Sequence, residues 1–290
     1  MILAIDIGNT TTSFGIFEGT RLKSQFAIGT QSNRTSDEMT LQLKALAKTR
    51  GLHLRKASQI ILCSVVPRMS AVLIQSFKSL GTMPIRVVGQ EVIVPLKNRY
   101  TYPEQVGQDR LVSAYAAWCA YGAPRNVPAG RSPKRARKGE PRDAGHDCIV
   151  CDFGTAITID VVTKNSEYLG GVIAPGLDIS LDALAIRTAL LPKVELKEPP
   201  ELLGRDTANS IRSGLLYGCA ALCDGLIAQL KARYAPHATV VATGGASPLM
   251  AKYALSIAHL RPNLVLEGLL ALATAGTSRN PPTKKPARSI

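Results

Sequence analysis

Twice in 290 residues the sequence runs an apolar stretch into an Asp-x-Gly turn and straight out into another apolar stretch. The first copy is Ile2 to Asp6 followed by Ile7-Gly8-Asn9-Thr10, and the second is Cys148 to Asp152 followed by Phe153-Gly154-Thr155. Each is followed by two more apolar runs separated by turn residues. In the first half these are Thr12 to Phe17 and, beyond Glu18-Gly19-Thr20, Leu22 to Ile28; in the second they are Ile157 to Val162 and, beyond Lys164-Asn165-Ser166, Tyr168 to Ile173. Runs of that length and punctuation predict two three-stranded antiparallel meanders. A helix follows the first, N-capped by Ser36 with Asp37 and Glu38 in its opening turn, Leu41, Leu43 and Leu46 along it, and Arg50-Gly51 as its stop. Strand Gln59 to Val66, a helix near Met69 to Leu80 and strand Ile85 to Val88 complete the order βββαβαβ. After the second meander come helices around Ile179 to Leu190 and Asn209 to Ala232, strand Thr239 to Ala242, the turn Thr243-Gly244-Gly245 and more helix. The architecture is duplicated, which predicts an α/β chain of two halves.

The length suits two domains, and 46% hydrophobic residues can fill their cores. The expected division is a domain over 1–121, a basic disordered insertion over 122–147, a second domain over 148–276 and a basic disordered tail over 277–290. The net charge of +14 is concentrated: 125–147 carries +4 and 279–288 another +4, in segments rich in Pro and Gly and poor in large apolar residues. A nucleic-acid-binding face would spread its charge over a folded surface with aromatics between. Solvated basic segments are the expectation, with weak contact to anionic surfaces as the alternative. Apolar runs such as Ile60 to Val66 end well short of the roughly 20 residues that span a bilayer, and the N-terminus lacks a basic leader, so a cytoplasmic protein with no membrane span is expected. The six cysteines include Cys148-Ile149-Val150-Cys151, in CxxC spacing. It reads as strand with small buried residues; a zinc or redox site would want a second ligand pair or a helix after the first Cys.

The paired turns suggest phosphate chemistry. An Asp at a strand end can hold Mg²⁺, a following Gly lets backbone approach a phosphate, and hydroxyls and turn N–H groups donate to its oxygens. One such turn also suits an ordinary β-turn, in which Asp and Gly are favoured for backbone reasons. Two, each opening a meander, favour a nucleotide clamp. In Gly107-Gln108-Asp109-Arg110, Asp109 stands at the start of a helix running to Tyr121, whose dipole would keep it ionised. A kinase acting on an alcohol needs such a carboxylate to accept the proton, and Arg110 can neutralise an anion. The plain alternative is a helix-capping Asp beside a stabilising Arg.

Taken together, these motifs resemble those of type III pantothenate kinases, within the acetate and sugar kinase, Hsp70 and actin superfamily. The resemblance runs from Ile2 to about Ala275, apart from the insertion. It rests on Asp6-x-Gly8-Asn9-Thr10, Ser64-Val65-Val66-Pro67, Tyr100-x-x-Pro103 with Gly107-Gln108-Asp109-Arg110, Asp152-Phe153-Gly154-Thr155-Ala156, the loop Gly170-Gly171-x-Ile173-x-Pro175-Gly176, Thr207 with Ser210 and Gly214, and Thr243-Gly244-Gly245. It implies two ribonuclease H-like (actin-like ATPase) domains, each with a mixed βββαβαβα sheet, and an interdomain cleft for ATP. It implies phosphate and nucleotide contacts at Asp6, Ile7, Gly8, Asn9, Thr10, Thr11, Thr12, Ser13 and Thr155. Pantothenate would be lined by Tyr100, Gly107, Gln108, Asp109, Arg110 and Thr207, with Asp109 as general base. Mg²⁺ would be held by Asp6 and a monovalent cation, K⁺ or NH₄⁺, by Asp152. The family's homodimeric state is implied as well. The apolar stripe of the helix Asn209 to Ala232 is compatible with a dimer face and equally with core packing. Two rivals share part of this pattern: a sugar or small-acid kinase of the same superfamily, which has no reason to carry the segment from Tyr100 to Arg110, and a non-catalytic regulator, which has no reason to keep Asp6, Asp109 and Asp152.

Overall fold

Residues 1–31, 33–81, 83–123 and 145–275 are described by a computed structural model. Most of the expected insertion and all of the tail over 277–290 lie outside them. β1 (Ile2–Ile7), β2 (Thr11–Glu18) and β3 (Arg21–Gly29) form the first meander. α1 (Ser36–Thr49), β4 (Gln59–Ser64), α2 (Pro67–Leu80) and β5 (Ile85–Val87) follow, and the sheet has the order β3-β2-β1-β4-β5. β4 and β5 run parallel to β1, as α-helical crossovers require.

The helix starts differ in detail from the sequence reading. The N-cap of α1 is Thr35, not Ser36: its hydroxyl accepts from the Glu38 amide while the Glu38 carboxylate accepts from the Thr35 amide. That reciprocal box needs Glu three residues after the cap, a spacing that Thr35 satisfies and Ser36 does not. Leu41 is 66% exposed, and Met39 and Leu43 carry the buried face instead. α2 begins at Pro67, whose missing N–H costs nothing in a first turn, and buries Met69, Leu73, Phe77 and Leu80 against the sheet. Burial of each such side chain contributes about 1.5–3 kcal/mol.

The chain then crosses to the other half. β6 (Lys97–Asn98) pairs with β9 (Glu167–Pro175) of the second sheet, and α3 (Gln108–Ala117) follows, ending in a π turn, Trp118–Gly122, where a longer α-helix was expected. β7 (Cys148–Phe153), β8 (Ala156–Val162) and β9 form the second meander. α4 (Leu177–Arg187), α5 (Thr207–Arg233), β10 (Thr239–Thr243), α6 (Ser247–Met250), β11 (His259–Leu260) and α7 (Leu264–Ala275) complete the described chain. The second sheet has the order β11-β10-β7-β8-β9-β6. Cys148 and Cys151 point to opposite faces of β7 and both are buried, as small core residues.

Five layers result. α1 and α2 cover one face of the first sheet through Leu3, Ile5 and Ile7 of β1. α3 and α7 fill the space between the sheets, where Val112, Leu266 and Leu269 meet Ala4 and Ile61 on one side and Cys148 and Val150 on the other. α5 covers the outer face of the second sheet with Leu216, Cys223 and Ile227. By length and composition alone α5 is long and apolar enough to cross a bilayer, with a mean hydropathy of 1.3 over its most apolar stretch, and one side of it packs on the second sheet. Polar residues such as Ser213 and Asp224 interrupt its apolar runs along the chain.

Candidate active site

Both Asp-x-Gly turns lie at the same edge of the two sheets. Parallel pairing sets Asp6 beside Cys63 and Ile7 beside Ser64, so Ser64-Val65-Val66-Pro67 emerges next to the first turn, where the Val65 amide donates to the Ile7 carbonyl at 3.1 Å. The second half repeats the arrangement, with Asp152 beside Thr243 and the Gly244-Gly245 turn emerging next to Phe153. Gly244 has φ +88°, and a Cβ there would press on the Asp152 carboxylate and lie 2.7 Å from the Phe153 carbonyl carbon. Only glycine combines that left-handed backbone with so close an approach. Across the gap the Thr10 and Thr155 hydroxyls are 2.8 Å apart, joining the two turns.

Within the first turn the side chains divide. Asn9, Thr10 and Thr11 are exposed, Gly8 and Ser13 are half-buried, and Ile7 is a core residue that can offer only backbone. Thr12 is buried, with its hydroxyl 2.9 Å from that of Thr30, which in turn donates to the Gly8 carbonyl at 2.8 Å. The Thr30 amide also donates to the Thr10 carbonyl. Thr30, absent from the sequence reading, is therefore the internal brace of this turn.

Three carboxylates influence one another here. Asp6 keeps some exposure as a residue, yet its Oδ1 is enclosed and has no hydrogen-bond partner. Burial, with the charges of Asp109 and Asp152, pushes its carboxyl up to about 8. Asp152 is pushed up to about 7 by burial, Asp109 and Asp160. Asp109, in the first turn of α3, is also raised, because burial outweighs the Arg110 amide, which donates to its Oδ1 at 2.8 Å, and the Arg110 charge. Burial thus overrides the helix dipole expected to keep Asp109 fully ionised, and the result is a stronger base. Among the described residues no three His, Cys, Asp or Glu side chains gather into a metal cage. An enclosed, unpartnered carboxylate oxygen suits a divalent ion that takes its remaining ligands from water and phosphate, as Mg²⁺ does with ATP.

Tyr100 and Arg110 are drawn into one cluster. The crossing at β6 carries the Tyr100 ring against Gly170, which has φ +119°, with 6.4 Å between the Tyr100 and Tyr168 ring centroids. Gly170 and Gly171 thus stand within strand β9 rather than in a loop. Arg110 reaches Asp160 on β8, with Nε 3.1 Å from Oδ1 and Nη2 2.5 Å from it. Gln108 rests beside Gly89. Thr207 lies apart, exposed at the first turn of α5 behind the Asp206 cap.

The profile of the type III pantothenate kinase family matches residues 2–127 and 137–229. The type III pantothenate kinase of Rubrobacter xylanophilus is 40% identical over 285 residues, covering 96% of this chain and 99% of that one. That of Moorella thermoacetica is 38% identical over 270 residues, 93% of this chain and 97% of its own. The chain belongs to the type III pantothenate kinase family.

Solved structures agree at the level of fold. A Campylobacter jejuni protein described as a Baf-family transcriptional activator superposes with TM-score 0.57 at 18% identity, over 96% of this chain and 100% of its own. A Sinorhizobium meliloti protein described as a 2-dehydro-3-deoxygalactonokinase gives 0.54 at 15%, over 95% and 99%. The fold is the two-sheet actin-like ATPase architecture expected from the sequence. In this type III pantothenate kinase family member, Asp160, Tyr168 and Thr30 escaped the sequence reading. They are single polar residues inside strands or at strand ends, and only the register of β8 on β9 reveals what Asp160 faces.

Proposed function

We infer that this chain is a pantothenate kinase, transferring the γ-phosphoryl group of ATP to the primary hydroxyl of pantothenate to give 4'-phosphopantothenate, the first step of coenzyme A biosynthesis. The observation that carries this reading is the convergence of Asp6, Asp109 and Asp152 between two phosphate-type turns bridged by Thr10 and Thr155, in a member of this family. ATP phosphates lie along Asp6 to Ser13 and at Thr155. The substrate lies beside Tyr100, Gly107, Gln108, Asp109 and Arg110, with Thr207 assigned to its site by resemblance. Asp109 accepts the alcohol proton as the oxygen bonds to phosphorus and ADP leaves. Its raised pKa brings its proton affinity closer to the working pH, which favours general-base catalysis.

Mg²⁺ would be held by Asp6 and a monovalent cation, K⁺ or NH₄⁺, by Asp152. Bound there, the cations supply charge neutralisation to the phosphates. Homodimerisation belongs to the same reading, supported by large apolar side chains left exposed around α4 and α5. ATP and pantothenate are the partners, the cytoplasm is the compartment, and neither membrane nor nucleic acid is needed.

The test is ATP-dependent phosphorylation of pantothenate in Mg²⁺ with and without K⁺. Turnover that needs K⁺ or NH₄⁺, and that falls by roughly 10²-fold or more in Asp109→Asn, is expected. Turnover of a sugar but not of pantothenate would overturn the assignment.

A further inference from the structure

Asp160 is 2% exposed and lies in the middle of β8, where an ionised carboxylate is costly unless every oxygen is partnered. Its oxygens are fully engaged. Oδ1 accepts from Arg110 Nε and Nη2 and from the Tyr168 hydroxyl at 2.7 Å; Oδ2 accepts from Arg110 Nε at 3.2 Å and from the Thr158 hydroxyl at 3.3 Å. The socket also has room made for it. Asp160 pairs across the ladder with Gly171, and a Cβ on Gly171 would overlap the Asp160 carboxylate. Arg110 comes from the other half of the molecule, next to Asp109 on the first turn of α3. Its side chain is 11% exposed, so its orientation is set by this pair.

We propose that Asp160 is a positioning residue for phosphoryl transfer: held by Tyr168, Thr158 and the space at Gly171, it grips one edge of the Arg110 guanidinium, leaving the remaining donors aimed at the anionic substrate. A guanidinium has five N–H donors. Asp160 occupies Nε–H and one N–H of Nη2, Tyr100 is a further side-chain partner of the guanidinium, and the donors that these two leave lie on the far side of the fork. Because Arg110 is fixed from β8, the first turn of α3, with Asp109 in it, is tied to the second sheet. The same pair keeps the guanidinium engaged with Asp160, so Asp109 feels the Arg110 charge without a direct side-chain ion pair. Asp160 itself touches no reacting atom.

This inference rests on the assignment of Arg110 to the pantothenate site, and a double-mutant cycle separates the two. Asp160→Asn, Arg110→Gln and the double variant are assayed for kcat and for KM toward pantothenate and ATP separately, with thermal unfolding as the folding check. Asp160→Asn is expected to raise the pantothenate KM about tenfold or more while the ATP KM stays within about twofold, and to add less than twofold on top of Arg110→Gln. Should Asp160→Asn not fold, Tyr168→Phe removes one hydroxyl from the socket and is expected to raise the pantothenate KM selectively by a smaller factor. Equal rises in both KM values, an unchanged pantothenate KM, or full additivity with Arg110→Gln would overturn the role of Asp160. Lack of pantothenate turnover by the wild type, or a normal pantothenate KM in Arg110→Gln, would instead overturn the substrate-site assignment.

Discussion

A cleft with three mutually repelling carboxylates leaves a signature in stability. Asp6 and Asp152 ordinarily lose their protons at 3.8, but in the folded protein they hold them to about 8 and about 7, first through burial and then through neighbouring charges: Asp109 and Asp152 on Asp6, Asp109 and Asp160 on Asp152. Between these limits the folded state binds more protons than the unfolded chain, so raising the pH lowers stability through the window and has no further effect above it. Carboxylates shifted downward from their ordinary values, such as Glu38 and Asp206, act at more acidic pH than the range from 6 to 8. The cation-free protein is therefore expected to show a melting temperature that falls from pH 6 to pH 8, with a shallower slope in Asp6→Asn. Mg²⁺ with ATP, which needs the ionised carboxylate, is expected to raise the melting temperature more at pH 8 than at pH 6. A melting temperature that climbs across this window in the cation-free wild type would contradict the buried-carboxylate account.

Among the elements, the helix pair between the sheets has the tightest tolerance. Gly268 of α7 faces α3, and a Cβ there would lie 2.5 Å from the Val112 carbonyl oxygen and 2.7 Å from Val112 Cγ1. Backbone is on both sides of that contact, so Gly268→Ala must push the helices apart. A loss of about 1–3 kcal/mol is expected in urea unfolding, as for other overpacked cores. Because α3 carries Asp109 and Arg110 in its first turn, kcat should fall too; an unchanged midpoint would show that the layer can relax. The helices themselves were largely legible, since α1 and α2 carry stop and start signals and apolar spacing. Their exact caps were not: Ser36 was the expected cap of α1, whereas the capping box with Glu38 belongs to Thr35.

For the molecule as a whole, apolar surface remains to be covered. Ile179, Ile186, Leu190, Leu202, Leu203 and Leu222 are between 41% and 92% exposed, and all belong to α4, α5 or the segment between them. α5 buries Ile211, Leu216, Cys223 and Ile227 while leaving Leu222 outward, so its apolar stripe serves the core on one side and an open surface on the other. A second copy on this surface is the expected cover, as apolar patches of this kind mark protein contacts. Sedimentation should give a dimer for the wild type and a folded monomer for the combined substitution Ile186→Glu with Leu222→Glu. A wild type that sediments as a monomer at tens of micromolar would remove the dimer from the proposal.

The two Asp-x-Gly turns, the meanders they open and the segment from Tyr100 to Arg110 were readable from residue order alone. Turn chemistry and apolar period are local properties, and a duplicated order of elements constrains the fold before any contact is known. What local order could not supply was the meeting of distant segments. The crossing of β6 to the second sheet, the bridge from Thr10 to Thr155, the brace at Thr30 and the grip of Asp160 on Arg110 each join residues 18 to 145 positions apart in the chain or elements from opposite halves. Whether a buried Asp is a base, an ion ligand or a partner for Arg depends on which of those segments faces it. The sequence alone determined which groups were available; burial and strand register in the tertiary structure decided what surrounds Asp6, Asp109, Asp152 and Asp160.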